Sequence, residues 1–265
     1  MLSPKLFTLL TDFGTTDSYV AQMKAVLLRG TELRCQIVDI THDIRPHDIQ
    51  EAAFVLFESY SQFPAGTIHV AVVDPGVGSD RRRILARLKH HGDSFVIAPD
   101  NGLLSVLLSE EQIECAWEIS SLELLAERKK HSSTFDGRDV FAPTAVFVAG
   151  GGDPKDLGSQ LELRDLVALP KCRIVRFSGE AVGGSVVRID RFGNAISNIV
   201  VGETPPAKVN IGGLELPLVS SYAEIDGAAA LVGSSSFLEI SCNKAKADEK
   251  LSISLGEQVE ALSEC

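Results

Sequence analysis

Three apolar, β-branched runs within the first hundred residues end alike, in an aspartate and a turn. Residues 6–10 give way to Thr11-Asp12-Phe13-Gly14, residues 67–73 to Asp74-Pro75-Gly76-Val77-Gly78, and residues 94–98 to Pro99-Asp100-Asn101-Gly102. A run of β-branched and apolar residues without polar alternation is the pattern of a strand covered on both faces. The intervening stretches carry apolar residues at helical spacing, as in Val20, Met23, Val26 and Leu27, or in residues 49–60 behind the capping residue Asp48. Strands that alternate with helices must be joined by crossovers, so the spacing predicts a mostly parallel sheet with helices on both faces. An acid at the carboxyl end of such a strand lies where open α/β sheets bind ligands.

The rest of this half is read in the same way. Residues 83–88 and 94–98 form two strands joined by the polar turn His90-His91-Gly92-Asp93, and residues 115–119 form a further strand. Helices are expected at residues 18–30 with Asp17 as cap, at 103–108, at 122–130 and at 140–149. Before the last of them stands the dense polar turn Thr134-Phe135-Asp136-Gly137-Arg138-Asp139. Gly150-Gly151-Gly152-Asp153-Pro154 then breaks the pattern, and a boundary is placed near residue 170. Beyond it helical spacing nearly vanishes. Short β-branched runs at 185–189, 208–211, 214–218, 237–241 and 251–254 predict a smaller antiparallel β domain, a sandwich or a barrel. The chain is therefore expected to comprise an α/β sandwich domain at 1–170 and a β domain at 171–265. Two polar constellations, residues 190–198 and 233–240, read as turns between those strands.

Composition narrows the function. The formal net charge of −11 opposes a nucleic-acid binder, which needs clustered Lys and Arg against phosphates. No segment reaches the ~18 apolar residues of a membrane span, and residues 6–10 are too short for a secretory signal. Five scattered cysteines, Cys35, Cys115, Cys172, Cys242 and Cys265, read as reduced thiols of a cytoplasmic protein with no zinc motif. No dinucleotide fingerprint, P-loop, nucleophile elbow or HExxH motif is present. What remains is the set of strand-end acids Asp12, Asp74 and Asp100, which suits ribose hydroxyls or a metal ion. Of the run Arg81-Arg82-Arg83, at least one arginine is expected to be a solvated charge.

Five motifs together resemble those of the S-adenosyl-L-methionine hydroxide adenosyltransferase family, which is related to the enzymes that make fluorinated and chlorinated adenosine. They are Thr11-Asp12-Phe13-Gly14-Thr15-Thr16-Asp17, Val73-Asp74-Pro75-Gly76-Val77-Gly78, Ala98-Pro99-Asp100-Asn101-Gly102, Thr134-Phe135-Asp136-Gly137-Arg138-Asp139 and Ile189-Asp190-Arg191-Phe192-Gly193-Asn194. The resemblance implies a homotrimer with sites between subunits, and a reaction in which water attacks C5′ of S-adenosylmethionine to give adenosine and methionine. It implies no metal and no cofactor, S-adenosylmethionine being the substrate. Asp12 resembles the acid that holds the ribose hydroxyls. Asp74 and Arg81 match members of an Asp-Arg-His set that orients the water, and Phe192, Asn194, Ser234 and Glu239 match positions around the adenosine. The halogenating relatives place a serine hydroxyl near the position of Gly137 and a tyrosine at that of Asp74, so the resemblance is to the hydrolytic branch. At the third position of the catalytic set this chain has Asp136 where histidine is expected. Two carboxylates, Asp74 and Asp136, would then share one pocket with Arg81. The alternatives are a non-catalytic adenosine or S-adenosylmethionine binder and, further off, a halogenase.

Overall fold

The structure is a computed structural model that describes residues 5–30, 34–125 and 132–263. The chain divides into two compact units, Met1–Cys172 and Arg173–Cys265. In the first, seven strands form one sheet: Lys5–Thr11 (β1), Cys35–Thr41 (β2), Ile68–Val72 (β3), Arg83–Leu88 (β4), Phe95–Pro99 (β5), Ile113–Glu118 (β6) and Gln160–Leu161 (β7). Their order is β2-β1-β3-β5-β4-β6-β7. The four strands β2, β1, β3 and β5 are mutually parallel, whereas β4, β6 and β7 continue the sheet antiparallel, starting from the β4–β5 hairpin.

The sheet's two faces carry separate cores. Phe7, Leu9, Val70, Val72, Leu85 and Ile97 pack against helices Tyr19–Gly30 (α1) and Ala142–Ala149 (α4). Leu10, Ala71, Val73, Ile84, Ala86 and Val96 pack against helix Ile49–Tyr60 (α2) and the segment around helix Ser105–Ser109 (α3). Strand β3 is buried at every position, as a central strand between two helical layers must be. A short helix, Pro154–Leu157 (α5), precedes β7.

The second unit is all but helix-free. Its strands are Val175–Phe177 (β8), Val182–Ile189 (β9), Ala195–Val201 (β10), Lys208–Ile211 (β11), Leu214–Val219 (β12), Ala228–Val232 (β13), Phe237–Cys242 (β14) and Gln258–Leu262 (β15), with one short helix, Ala247–Leu251 (α6). The order β14-β13-β12-β11-β15-β9-β10 is closed by a β10–β14 pairing, so this unit is a barrel; β8 adds to β10 beyond the reach of β9. Closure removes the exposed edges that an open sheet of this size would present.

Several local readings are corrected. The polar stretch at 195–198 is strand, because its polar side chains are bonded inside: Ser197 Oγ donates to Leu238 O at 2.9 Å, and Asn198 accepts Ser185 N–H while donating to Arg173 O. Residues 251–254 end α6 and turn through Ser252 at φ 56°, and are not a strand. Helix α1 starts behind Ser18, whose carbonyl accepts Gln22 N–H, so Asp17 stands outside the cap position. Of the helix expected at 122–130, Leu122–Leu125 is a 3₁₀ turn and residues 126–130 lie outside the described residues, as does Cys265.

Candidate active site

At the end of β3 the chain turns through Asp74-Pro75-Gly76-Val77-Gly78 and returns at Arg83 as β4. Gly78 is required there. Its φ is +83°, and a Cβ would lie 2.7 Å from Ser133 O, so the turn seats directly on the segment that leads to Asp136. That segment enters α4 through a single π-helical turn, Gly137–Phe141, in which Ala142 N–H reaches back five residues to Gly137 O. Such widened turns interrupt the ordinary helical ladder and recur at functional sites. The helix expected over 140–149 therefore begins α-helical geometry only at Ala142.

These two loops bring Asp74, Arg81 and Asp136 together. Arg81 Nε donates to Asp74 Oδ1 at 2.8 Å, and its Nη2 donates both to Asp74 Oδ2 and, at 2.6 Å, to Asp136 Oδ2. The side chains are 4%, 8% and 3% exposed for Asp74, Arg81 and Asp136. Burial by itself would lower the pKa of Arg81, but the hydrogen bonds and charges of Asp74 and Asp136 carry it above its ordinary value. Asp136 makes no backbone capping bond in its turn; both its oxygens face guanidinium groups.

The second of those groups belongs to Arg83, whose Nε lies 2.9 Å from Asp136 Oδ2. Sequence reasoning missed Arg83. The available signal was the period of two in an extended chain, which sends Arg81 and Arg83 to one side and Arg82 to the other. Arg82 pairs instead with Asp100, whose other oxygen accepts Val167 N–H. Thus none of the three arginines is a solvated charge, and Asp100 pins the 165–167 segment rather than joining Asp74. Two carboxylates meet two guanidiniums, a balanced cluster. Arg138 pairs with Asp139 and lies 5.1 Å over the Phe135 ring.

Next to the cluster is a cavity of ≈ 160 Å³ lined by Asp74 and Asp136 together with Phe13, Tyr19, Phe135 and Gly137. The three rings contact one another edge-on or tilted, with centroids 5.3–5.8 Å apart. A Cβ at Gly137 would stand 3.0 Å from Phe135 and 3.1 Å from Met23, so the position is closed to a larger side chain without movement of its neighbours. Asp12 ends the strand beside β3 and accepts the backbone N–H of His47 at 2.9 Å. His47 holds that pose at φ 68°, an uncommon conformation for a residue with a side chain.

In the second unit, Phe192 and Asn194 line a cleft of ≈ 840 Å³ with Tyr222, Lys244 and Lys246. Phe192 is 76% exposed. Asn194 is buried and tied to Asp190 through both its backbone N–H and its amide. Glu239 accepts the Tyr222 hydroxyl at 2.8 Å, and Ser234 is an exposed residue of the turn before β14. A Cβ at Gly233 next to it would fall 1.8 Å from Glu239 Oε1, so a side chain there would displace the Glu239 carboxyl. Burial and nearby Asp190 push the Glu239 carboxyl above its ordinary range against the opposing effects of Tyr222 and Arg188. Among the described residues no three His, Cys, Asp or Glu side chains converge as metal donors do, and no helix is long and apolar enough to cross a membrane.

Comparison with known proteins gives a consistent answer. The chain is 35% identical to an (R)-S-adenosyl-L-methionine hydrolase of Thermus thermophilus over 96% of its own length and 98% of that protein. It is 28% identical to a fluorinase of Nocardia brasiliensis over 91% of each chain. The crystal structure of an uncharacterized conserved protein from Thermotoga maritima, 32% identical, superposes with a TM-score of 0.84 over 97% of this chain and 99% of that one. Residues 7–158 match the SAM hydroxide adenosyltransferase N-terminal domain and residues 184–260 its C-terminal domain, and the chain belongs to the SAM hydroxide adenosyltransferase family.

Proposed function

We propose that this protein is an enzyme that hydrolyses S-adenosyl-L-methionine to adenosine and L-methionine. The observation that carries the reading is the convergence of Asp74 and Asp136 on one nitrogen of Arg81, at a strand end that opens on an aromatic-lined cavity. Water attacks C5′ in line with the C5′–S bond; the O–C5′ bond forms, the C5′–S electron pair stays on sulfur, and the water's proton passes to a carboxylate. The leaving group is a neutral thioether, so no general acid is needed, and the barrier is one of placing the nucleophile. Asp74 and Asp136 each keep acceptor lone pairs beyond those used by the guanidiniums, enough to hold a water between them. Arg81 and Arg83 fix the two carboxylates and prevent their repulsion from spreading them apart.

Asp12 is assigned to the ribose hydroxyls, and Phe192, Asn194, Ser234 and Glu239 to the adenosine. Halide chemistry is disfavoured by the crowding at Gly137, which leaves no ready place for the serine hydroxyl of the halogenating relatives. We place the enzyme in the cytoplasm as a homotrimer with sites shared between subunits, a state that sedimentation equilibrium tests. S-adenosylmethionine is the substrate, and no further cofactor is assigned. Incubation with S-adenosylmethionine in ¹⁸O-labelled water tests the reaction: one labelled oxygen is expected in adenosine. Binding of adenosine without release of methionine identifies a non-catalytic binder instead.

A further inference from the structure

Arg83, Leu85 and Arg87 alternate along one face of β4. Arg83 serves the acid pair, and Arg87 lies about 13 Å further along, near the other end of the strand. There a separate cavity of ≈ 860 Å³ is lined by Arg87 and Trp117, with Lys5, Ile68, Phe95, Val148 and Lys155 around them. The Arg87 guanidinium is held between two rings, 5.4 Å from Phe95 and 5.8 Å from Trp117. Arg87 Nε and Trp117 Nε1 are both buried without a hydrogen-bond partner, and Trp117 is only 5% exposed. Neither atom has surface open to the cavity, so an acceptor bound there meets the terminal guanidinium N–H groups of Arg87. Among the described residues, Arg87 has no carboxylate at ion-pair distance.

The charge around the cavity sets the kind of acceptor. Lys5, Arg87 and Lys155 are opposed by Asp93 and Asp153, and Asp153 is turned to accept Lys155 N–H at 3.0 Å. The excess is a single positive charge, which suits a monoanion and disfavours a polyphosphate. Ile68, Phe95 and Val148 are buried apolar walls that water alone would not fill favourably. We infer that this cavity is a second binding site, for a small monocarboxylate with an apolar body, whose carboxylate pairs with the terminal guanidinium N–H groups of Arg87. It lies apart from the acid pair and is independent of the proposed reaction.

Trp117 is the only tryptophan in the chain, so its fluorescence reports on this cavity directly. Titration of the full-length protein with octanoate is expected to give a saturable change. Arg87→Met should weaken binding by about tenfold or more, as loss of a charge-assisted hydrogen bond does. Should Arg87→Met not fold, Lys155→Met replaces it, with weakening of about threefold or more. Asp74→Asn should bind octanoate like the wild type. Octan-1-ol, which keeps the tail and lacks the charge, should bind at least about tenfold more weakly. A non-saturating response, equal affinity for octan-1-ol, unchanged binding in the folded cavity variant, or saturation by inorganic phosphate in place of octanoate would each overturn the assignment.

Discussion

The acid cluster at the end of β3 and the cleft beside Phe192 solve opposite problems. In the first unit Asp74 and Asp136 are almost fully buried, and each is met by a guanidinium, so the charge is balanced within the unit itself. In the second unit Glu239 accepts a hydrogen bond from a neutral phenol, and the most exposed large apolar side chain of the described residues, Phe192, stands in water. Buried ions need partners of opposite sign at close range, and their geometry is then rigid. An exposed ring offers a flat apolar face on which another ring can stack. The first region is thus rigid and internally balanced, and the second leaves its largest exposed ring in water beside an open cleft.

Breaking the acid cluster should have the largest effect. Asp74→Asn keeps the shape but removes the proton acceptor, and kcat is expected to fall by about 10²–10⁴ while adenosine affinity changes little; steady-state kinetics beside calorimetry checks this, and wild-type turnover would remove Asp74 from the mechanism. Asp136→Ala leaves Arg83 without its carboxylate and Arg81 with one of two. It should cost about 3 kcal/mol of stability, read from the urea midpoint, and slow turnover as well. Asp136→His should turn over faster than Asp136→Ala, yet remain less stable than the wild type, since an imidazole gives Arg83 no acid. An Asp136→Ala protein with unchanged rate and midpoint would reduce the cluster to its Asp74–Arg81 half.

Changes in the cleft should be smaller and of another kind. Phe192→Ala should leave the unfolding midpoint unmoved and weaken adenosine binding by about tenfold, the range of one lost stacking contact. If it destabilises the fold instead, the ring is structural and the contrast fails. Glu239 sharpens the comparison through pH. Its raised carboxyl favours the protonated form in the folded state, so the stability it contributes is present below the ordinary carboxylate value of about 4.3 and lost as pH rises through its raised value. Glu239→Gln should flatten that decline in the melting temperature while altering little at lower pH.

Much of this was legible in the chain because it rests on local patterns. An apolar run that stops at Asp74 announces a strand end, and β3 is buried throughout as its composition requires. Arg83 was hidden because a run of three arginines looks like a charged surface until strand geometry divides it among three carboxylates, Asp74, Asp136 and Asp100. Strand β10 was hidden for the converse reason: Ser197 and Asn198 look like turn residues, and only distant partners, Leu238 O, Ser185 N–H and Arg173 O, satisfy them inside a barrel. Barrel closure itself depends on β10 meeting β14, a pairing some forty residues apart that no short window contains.

The π-helical turn at Gly137–Phe141 has a consequence for how this site tolerates insertions and deletions. Such a turn is an α-helix that has gained one residue, and each residue of an α-helix rotates the chain by about 100°. Deleting a single residue between Gly137 and Phe141 would restore an uninterrupted helix into α4 without disturbing its apolar face. The same deletion would swing everything upstream by about a quarter turn and carry the Asp136 carboxylate away from Arg81 and Arg83. The extra residue of the widened turn therefore sets the frame: substitutions around it adjust the chemistry, whereas a change of length by one turns the acid away from its two arginines.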